Sequence, residues 1–102
     1  MSNIENEESK VFIEYSRIYA DINALGPDWE QYFSSQINNL KDINKSKAFK
    51  IGFAKAISGK EVFKREYEIA TGWDFDSEEE YRDHLLRLWN IFYPGEDFFI
   101  YL

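Results

Sequence analysis

The chain contains no cysteine. That excludes a disulfide framework, a thiolate zinc site and a cysteine nucleophile, and it fits a reducing compartment. One histidine, His84, leaves a single imidazole for acid–base or metal chemistry. No run approaches the roughly 18 consecutive apolar residues of a membrane-spanning helix, so no membrane partner is expected. The opening Met1-Ser2-Asn3-Ile4-Glu5-Asn6-Glu7-Glu8 is acidic where a signal peptide is basic and then apolar, which makes a cytoplasmic location the expectation. Residues 1–8 read as a mobile arm. No P-loop, G-x-G-x-x-G, G-x-S-x-G elbow or zinc spacing occurs, so no motif supports nucleotide, hydrolase or zinc chemistry, and no cofactor is expected. Bases are also scarce: 12 against 19 acids give a net charge of −7. Affinity for phosphate is carried mostly by Lys and Arg, so nucleic acid is a poor partner for the chain as a whole.

What is abundant is aromatic surface. Three Trp, seven Tyr and nine Phe make up 19% of 102 residues, and each ring buries roughly 150–250 Å². A single domain over residues 1–102 can therefore fill a core without staples. Charge is laid down in blocks: residues 1–40 sum to −5, 41–60 to +5 and 61–102 to −7. The positive block holds Lys41, Lys45, Lys47, Lys50, Lys55 and Lys60, and it reads first as a solvated helix face.

Periodicity predicts helices. Val11, Phe12, Tyr15, Ile18, Tyr19, Ile22 and Leu25 recur at helical spacing over 7–25, and Gly26-Pro27 stops the pattern. Asp28 offers an N-cap with Gln31 as its capping-box partner, ahead of a stripe of Trp29, Tyr32, Phe33, Ile37, Leu40 and Ile43. Ser46 is placed to cap a third helix carrying Phe49, Phe53, Ala56 and Ile57, ending near Ser58-Gly59. Gly52 weakens that helix, and a β-hairpin within 49–70 competes with it, since Phe49, Ile51 and Phe53 alternate, as do Phe63, Arg65, Tyr67 and Ile69. The Ala and Lys content of 47–56 favours helix. Ser77 with Glu78, Glu79 and Glu80 opens a last helix over 77–92, its inner face Tyr81, Leu85, Leu88, Trp89 and Phe92. The expected fold is all-α, an irregular bundle of four or five short helices with 7–25 and 77–92 as the main pair; α+β is the alternative if 49–70 is a hairpin. The tail Phe98-Phe99-Ile100-Tyr101-Leu102 is too apolar to hang in water, so it docks, pairs as an edge strand or enters a partner.

Candidate chemistry is thin. A lone imidazole without a motif reads as a structural residue. Asp74, Asp76, Glu78, Glu79 and Glu80 resemble the start of a calcium loop, yet counting from Asp74 the sixth position is Glu79 instead of glycine and the twelfth is Leu85 instead of glutamate. No dedicated metal site and no catalytic residue is expected, and an enzyme is disfavoured.

The segment Gly72 to Asp83 stands out because Trp73, Phe75 and Tyr81 are interleaved with Asp74, Asp76, Glu78, Glu79, Glu80 and Asp83. Rings that desolvate a contact and carboxylates that ring it suit the capture of a basic protein surface. In length, lack of cysteine, negative charge, amphipathic helices and this acid-and-ring stretch, the chain resembles the small acidic immunity proteins of bacterial toxin systems, of colicin or contact-dependent inhibition type. The resemblance implies a protein that binds a cognate toxin domain, often a nuclease, and neutralises it. Two other readings use other segments. One is a self-associating scaffold acting through the tail, the other a nucleic-acid-linked regulator or phage-type inhibitor, the former of these acting through the lysine block.

Overall fold

The computed structural model describes residues 7–59 and 64–102. Its elements are α1 (Glu7–Tyr19), α2 (Trp29–Asn38), α3 (Ile43–Ser58), α4 (Lys64–Thr71), α5 (Glu78–Phe92) and a 3-10 turn, Phe98–Tyr101. The protein is all-helical, a small bundle with no strand among the described residues. The hairpin alternative is excluded over 49–58 and 64–70, which are helical; Phe63 and Lys60 lie outside the described residues. Of the expected arm, Glu7 and Glu8 belong to α1, where two carboxylates in the first turn suit the helix dipole, and residues 1–6 lie outside the described residues.

Helix ends follow local hydrogen bonding more closely than the apolar pattern. The first helix ends at Tyr19 and not near Leu25, because the Ile22 amide donates to the Thr71 carbonyl at 2.9 Å and Asp21 Oδ1 accepts from the Asn23 amide at 3.0 Å. Asp28 precedes α2 but makes no side-chain cap, so the expected capping box is not formed. The third helix starts three residues before its expected cap: Asp42 accepts from the Lys45 amide at 3.2 Å, while the Ser46 hydroxyl donates to the Ile37 carbonyl at 3.3 Å. Gly59, at φ 78°, ends it in the left-handed region that favours glycine. Ser77 caps α5 through the Glu80 amide at 3.1 Å, and all five expected inner-face residues of that helix are buried.

The closest pair is α1 with α3, not the first helix with the last. Phe12 of α1 meets Phe49 and Phe53 of α3, and the Glu8 backbone lies against Gly52; Phe12, Phe49, Gly52 and Phe53 are all buried. The core is a continuous stack of rings. Phe12, Phe49, Phe53, Phe33 and Phe92 meet at centroid separations of 4.8–5.8 Å, and Trp89 closes on Phe53 at 5.2 Å. The tilted and edge-on geometries are those that ring quadrupoles prefer.

The tail docks on α3 around Lys50. The Lys50 ammonium pairs with Glu96 at 2.6 Å and lies 4.6 Å and 4.3 Å from the ring centres of Tyr93 and Tyr101. Burial works against this charge, but hydrogen bonds with Glu96 and Tyr101 outweigh it and raise the Lys50 pKa. Tyr101 also hydrogen-bonds Glu96, and the Trp89 indole donates to the Glu96 carbonyl at 2.8 Å. Cation–π contacts at partly exposed sites contribute about 0.5–1 kcal/mol each. Lys50→Met is therefore expected to lower stability by roughly 1–2 kcal/mol and to speed amide exchange in Phe98–Leu102 selectively. Uniform loss of protection across all helices would contradict a local clamp.

Candidate functional site

The acid-and-ring segment runs from the end of α4 to the first turns of α5. Gly72, at φ 81°, turns the chain out of α4, and residues 73–77 have no regular secondary structure. Side chains of the surrounding helices hold this link. The Phe75 amide donates to Glu68 Oε2 at 2.8 Å and the Lys64 ammonium to the Phe75 carbonyl at 3.4 Å. The Trp73 amide donates to Thr71 Oγ1 at 3.3 Å and its indole to the Ala20 carbonyl at 2.9 Å. The Phe75 amide and then Lys64 hold the Glu68 carboxyl below its ordinary range despite its partial burial.

Within the link the side chains alternate, as an extended stretch requires. Trp73 is half-buried and Phe75 buried, whereas Asp74 and Asp76 are exposed. On α5, Tyr81 turns into the core while Glu78, Glu79, Glu80 and Asp83 are exposed. The structure thus brings the six expected carboxylates together on one surface but corrects the expectation for two of the rings: Phe75 is 6% and Tyr81 2% exposed, so neither can serve as a surface anchor. Their apolar area is used to fix the link to the body. None of the six carboxylates is ion-paired with a described residue. The one base in this stretch, Arg82, is turned away, its Nε donating to the Ile57 carbonyl at 3.0 Å. That contact also sets the start of α5 beside the end of α3.

Behind the acids lies a cluster that the sequence does not announce. The His84 ring sits 4.7 Å from Trp73, 5.1 Å from Phe75, 5.4 Å from Tyr67 and 6.4 Å from Trp29, centre to centre. Its Nε2 is 2.8 Å from the Tyr67 hydroxyl. Burial, with a smaller contribution from Arg87, pushes the His84 pKa down to about 4, so the ring is neutral near neutral pH. Burial alone raises that of Tyr67, which is fully enclosed. Three helices, α2, α4 and α5, and the link contribute here or at its edge, where Arg87 pairs with Glu30 beside Trp29. No family model, curated protein or solved structure matches the chain. Any functional reading therefore rests on this geometry.

Tyr67 and Trp29 are the residues that sequence reasoning missed. One signal for them exists: His84 lies four residues before Leu88 and three after Tyr81, on the flank of the buried face of α5, where an imidazole needs both rings and a hydrogen-bond partner. As for metals, no three His, Asp or Glu side chains converge among the described residues. No helix among them is long and apolar enough to cross a membrane.

Proposed function

We propose that the chain is a non-enzymatic binding protein that neutralises a basic protein partner, in the manner of an immunity protein against a toxin domain such as a nuclease. The observation that carries this reading is the set of six exposed carboxylates, Asp74, Asp76, Glu78, Glu79, Glu80 and Asp83, left without cationic partners among the described residues. They project from a link and a helix start that Phe75, Tyr81 and Glu68 hold in place. Preorganised charge of one sign steers a cationic partner, raising association rates by about 10–10³-fold at low salt. Half-buried Trp73 supplies the ring at the margin of the patch.

The test is the triple variant Asp76→Lys, Glu79→Lys, Glu80→Lys, titrated against the purified domain encoded beside this chain at two salt concentrations. Association is expected to slow by at least about tenfold at low salt and by less at high salt. Unchanged affinity at low salt would remove this face from the contact. A wild-type chain that does not bind that domain would remove the immunity reading.

A second reading has one observation behind it. Phe99, Ile100 and Leu102 are 64%, 71% and 41% exposed on the docked tail, an apolar outer face that suits a self-associating scaffold. Deleting residues 98–102 should then lower the solution mass of an assembly to that of a monomer; equal masses with and without the tail dismiss it.

A further inference from the structure

The link that carries the acids has no secondary structure of its own, and its inward rings, Trp73 and Phe75, both rest on His84. The same imidazole touches Trp29 on α2 and Tyr67 on α4. It is the neighbour shared by both inward rings of the link and by the rings of α2 and α4 beside them. We propose that His84 is a pH-sensitive latch: neutral, it seals the link 72–77 against the helices, and protonated, it releases the link and the carboxylates it carries.

Two independent features of the geometry oppose a charge at this place. The first is the wall of rings, which offers the imidazolium no carboxylate. The second is the hydrogen bond to Tyr67. A neutral ring with its proton on Nδ1 accepts from the phenol at Nε2, whereas a charged ring donates from both nitrogens. The phenol must then reverse, and its own proton finds no other acceptor, because Tyr67 is fully buried and its hydroxyl has no second partner among the described residues. Stranding a buried O–H costs the full desolvation of that group.

The charged groups around the latch do not reverse this balance. From α5 itself, Arg87 opposes protonation, and Glu80 and Asp83 are exposed. From α2, Glu30 is engaged by Arg87. From α4, Glu68 and Lys64 are engaged with each other and with the Phe75 backbone. On the segment before α2, Asp21 accepts from the Asn23 amide, and on the link Asp74 and Asp76 are exposed. With the docked imidazole near 4 and a released one near 6.5, the docked form binds fewer protons between those values. Its advantage is whole above pH 6.5 and is lost as pH falls towards 4. Linkage then raises the released population roughly 20-fold between about pH 7 and pH 5. Glu68, held below its ordinary range, stays ionised through that interval and so adds nothing to the pH response.

The effect on partner capture rests on the proposed function; the latch does not, because its experiment uses the chain alone. Amide exchange of residues 73–76, corrected for the intrinsic pH dependence of exchange, is compared at pH 7 and pH 5 with that of α3. The comparison is made in the wild type and in His84→Phe, which keeps a ring and cannot take a proton. The expected result is a roughly 20-fold loss of protection in the wild-type link, little change in α3 and a flat response in the variant. Flat protection in the wild type overturns the latch, as does an equal loss in the variant or a parallel loss in α3. Should His84→Phe fail to fold, the titration of the one imidazole resonance in the wild type decides. A midpoint well below 6.5, with link exchange rising over the same range, supports the latch, and an ordinary midpoint overturns it.

Discussion

Gly52→Ala is expected to cost this protein at least about 3 kcal/mol, although alanine is the better helix former by about 1 kcal/mol. A Cβ built on Gly52 would lie 2.1 Å from the Glu8 carbonyl oxygen and 2.6 Å from its carbon, closer than side chains approach backbone. The obstacle is backbone at the first turn of α1, and it cannot rotate away as a side chain would. Relief requires α1 and α3 to separate by about 1 Å over their shared face, and interiors packed near crystal density do not yield that distance cheaply. Gly26→Ala is the control, since nothing lies within 4 Å of the corresponding Cβ, and a glycine replaced without strain gains a few tenths to about 1 kcal/mol. The measurement is the midpoint of chemical denaturation for both variants. A Gly52→Ala midpoint equal to or above the wild type would mean that the helices are not this close.

That contact also explains what the apolar pattern could and could not convey. The expected stripe on the first helix included Ile18 and Ile22, which are 61% and 42% exposed, and omitted Ser9 and Ser16, which are fully buried. A periodicity of large apolar residues finds a face that packs against side chains. Here the α1 backbone at Glu8 comes directly against Gly52 of α3, so a residue without a side chain marks the closest approach of the two helices. Gly52, a defect when α3 is considered alone, is the residue that lets the pair form. The pattern was fully legible in α5, where Tyr81, Leu85, Leu88, Trp89 and Phe92 meet other side chains and each is buried.

The candidate site divides in the same way. Its carboxylates were legible because charge is forced to the surface by solvation, and all six are exposed. Its rings were not, because Trp, Phe and Tyr suit a core and an interface equally. The alternation Trp73-Asp74-Phe75-Asp76 sends one parity in and the other out; it reveals that the faces differ, and the surrounding helices decide which ring is enclosed. The box around His84 is assembled from residues as far apart as Trp29, Tyr67 and Phe75, and no local spacing encodes such an encounter.

Phe53→Ala should produce the other large loss. The ring is fully buried on α3, with centroids 5.1 Å from Phe12, 5.7 Å from Phe49, 5.2 Å from Trp89, 5.6 Å from Phe92 and 6.3 Å from Tyr93. Its removal opens a space between α1, α3 and α5 that stiff aromatic neighbours cannot collapse to fill, and such truncations cost about 3–5 kcal/mol. Against a total stability of about 5–15 kcal/mol, that lowers the unfolding midpoint by something like 10–30 °C. Phe53→Leu keeps much of the apolar volume and should lose less, while Phe99→Ala, at a ring 64% exposed, should stay within about 0.5 kcal/mol of the wild type. A Phe53→Ala protein no less stable than Phe99→Ala would relocate the core. The same comparison separates packing from recognition: α3 and its rings fix where α5 begins, so Phe53→Ala should weaken partner binding only in proportion to the unfolded fraction. Charge reversal at Asp76, Glu79 and Glu80 should weaken it with the folded fraction unchanged.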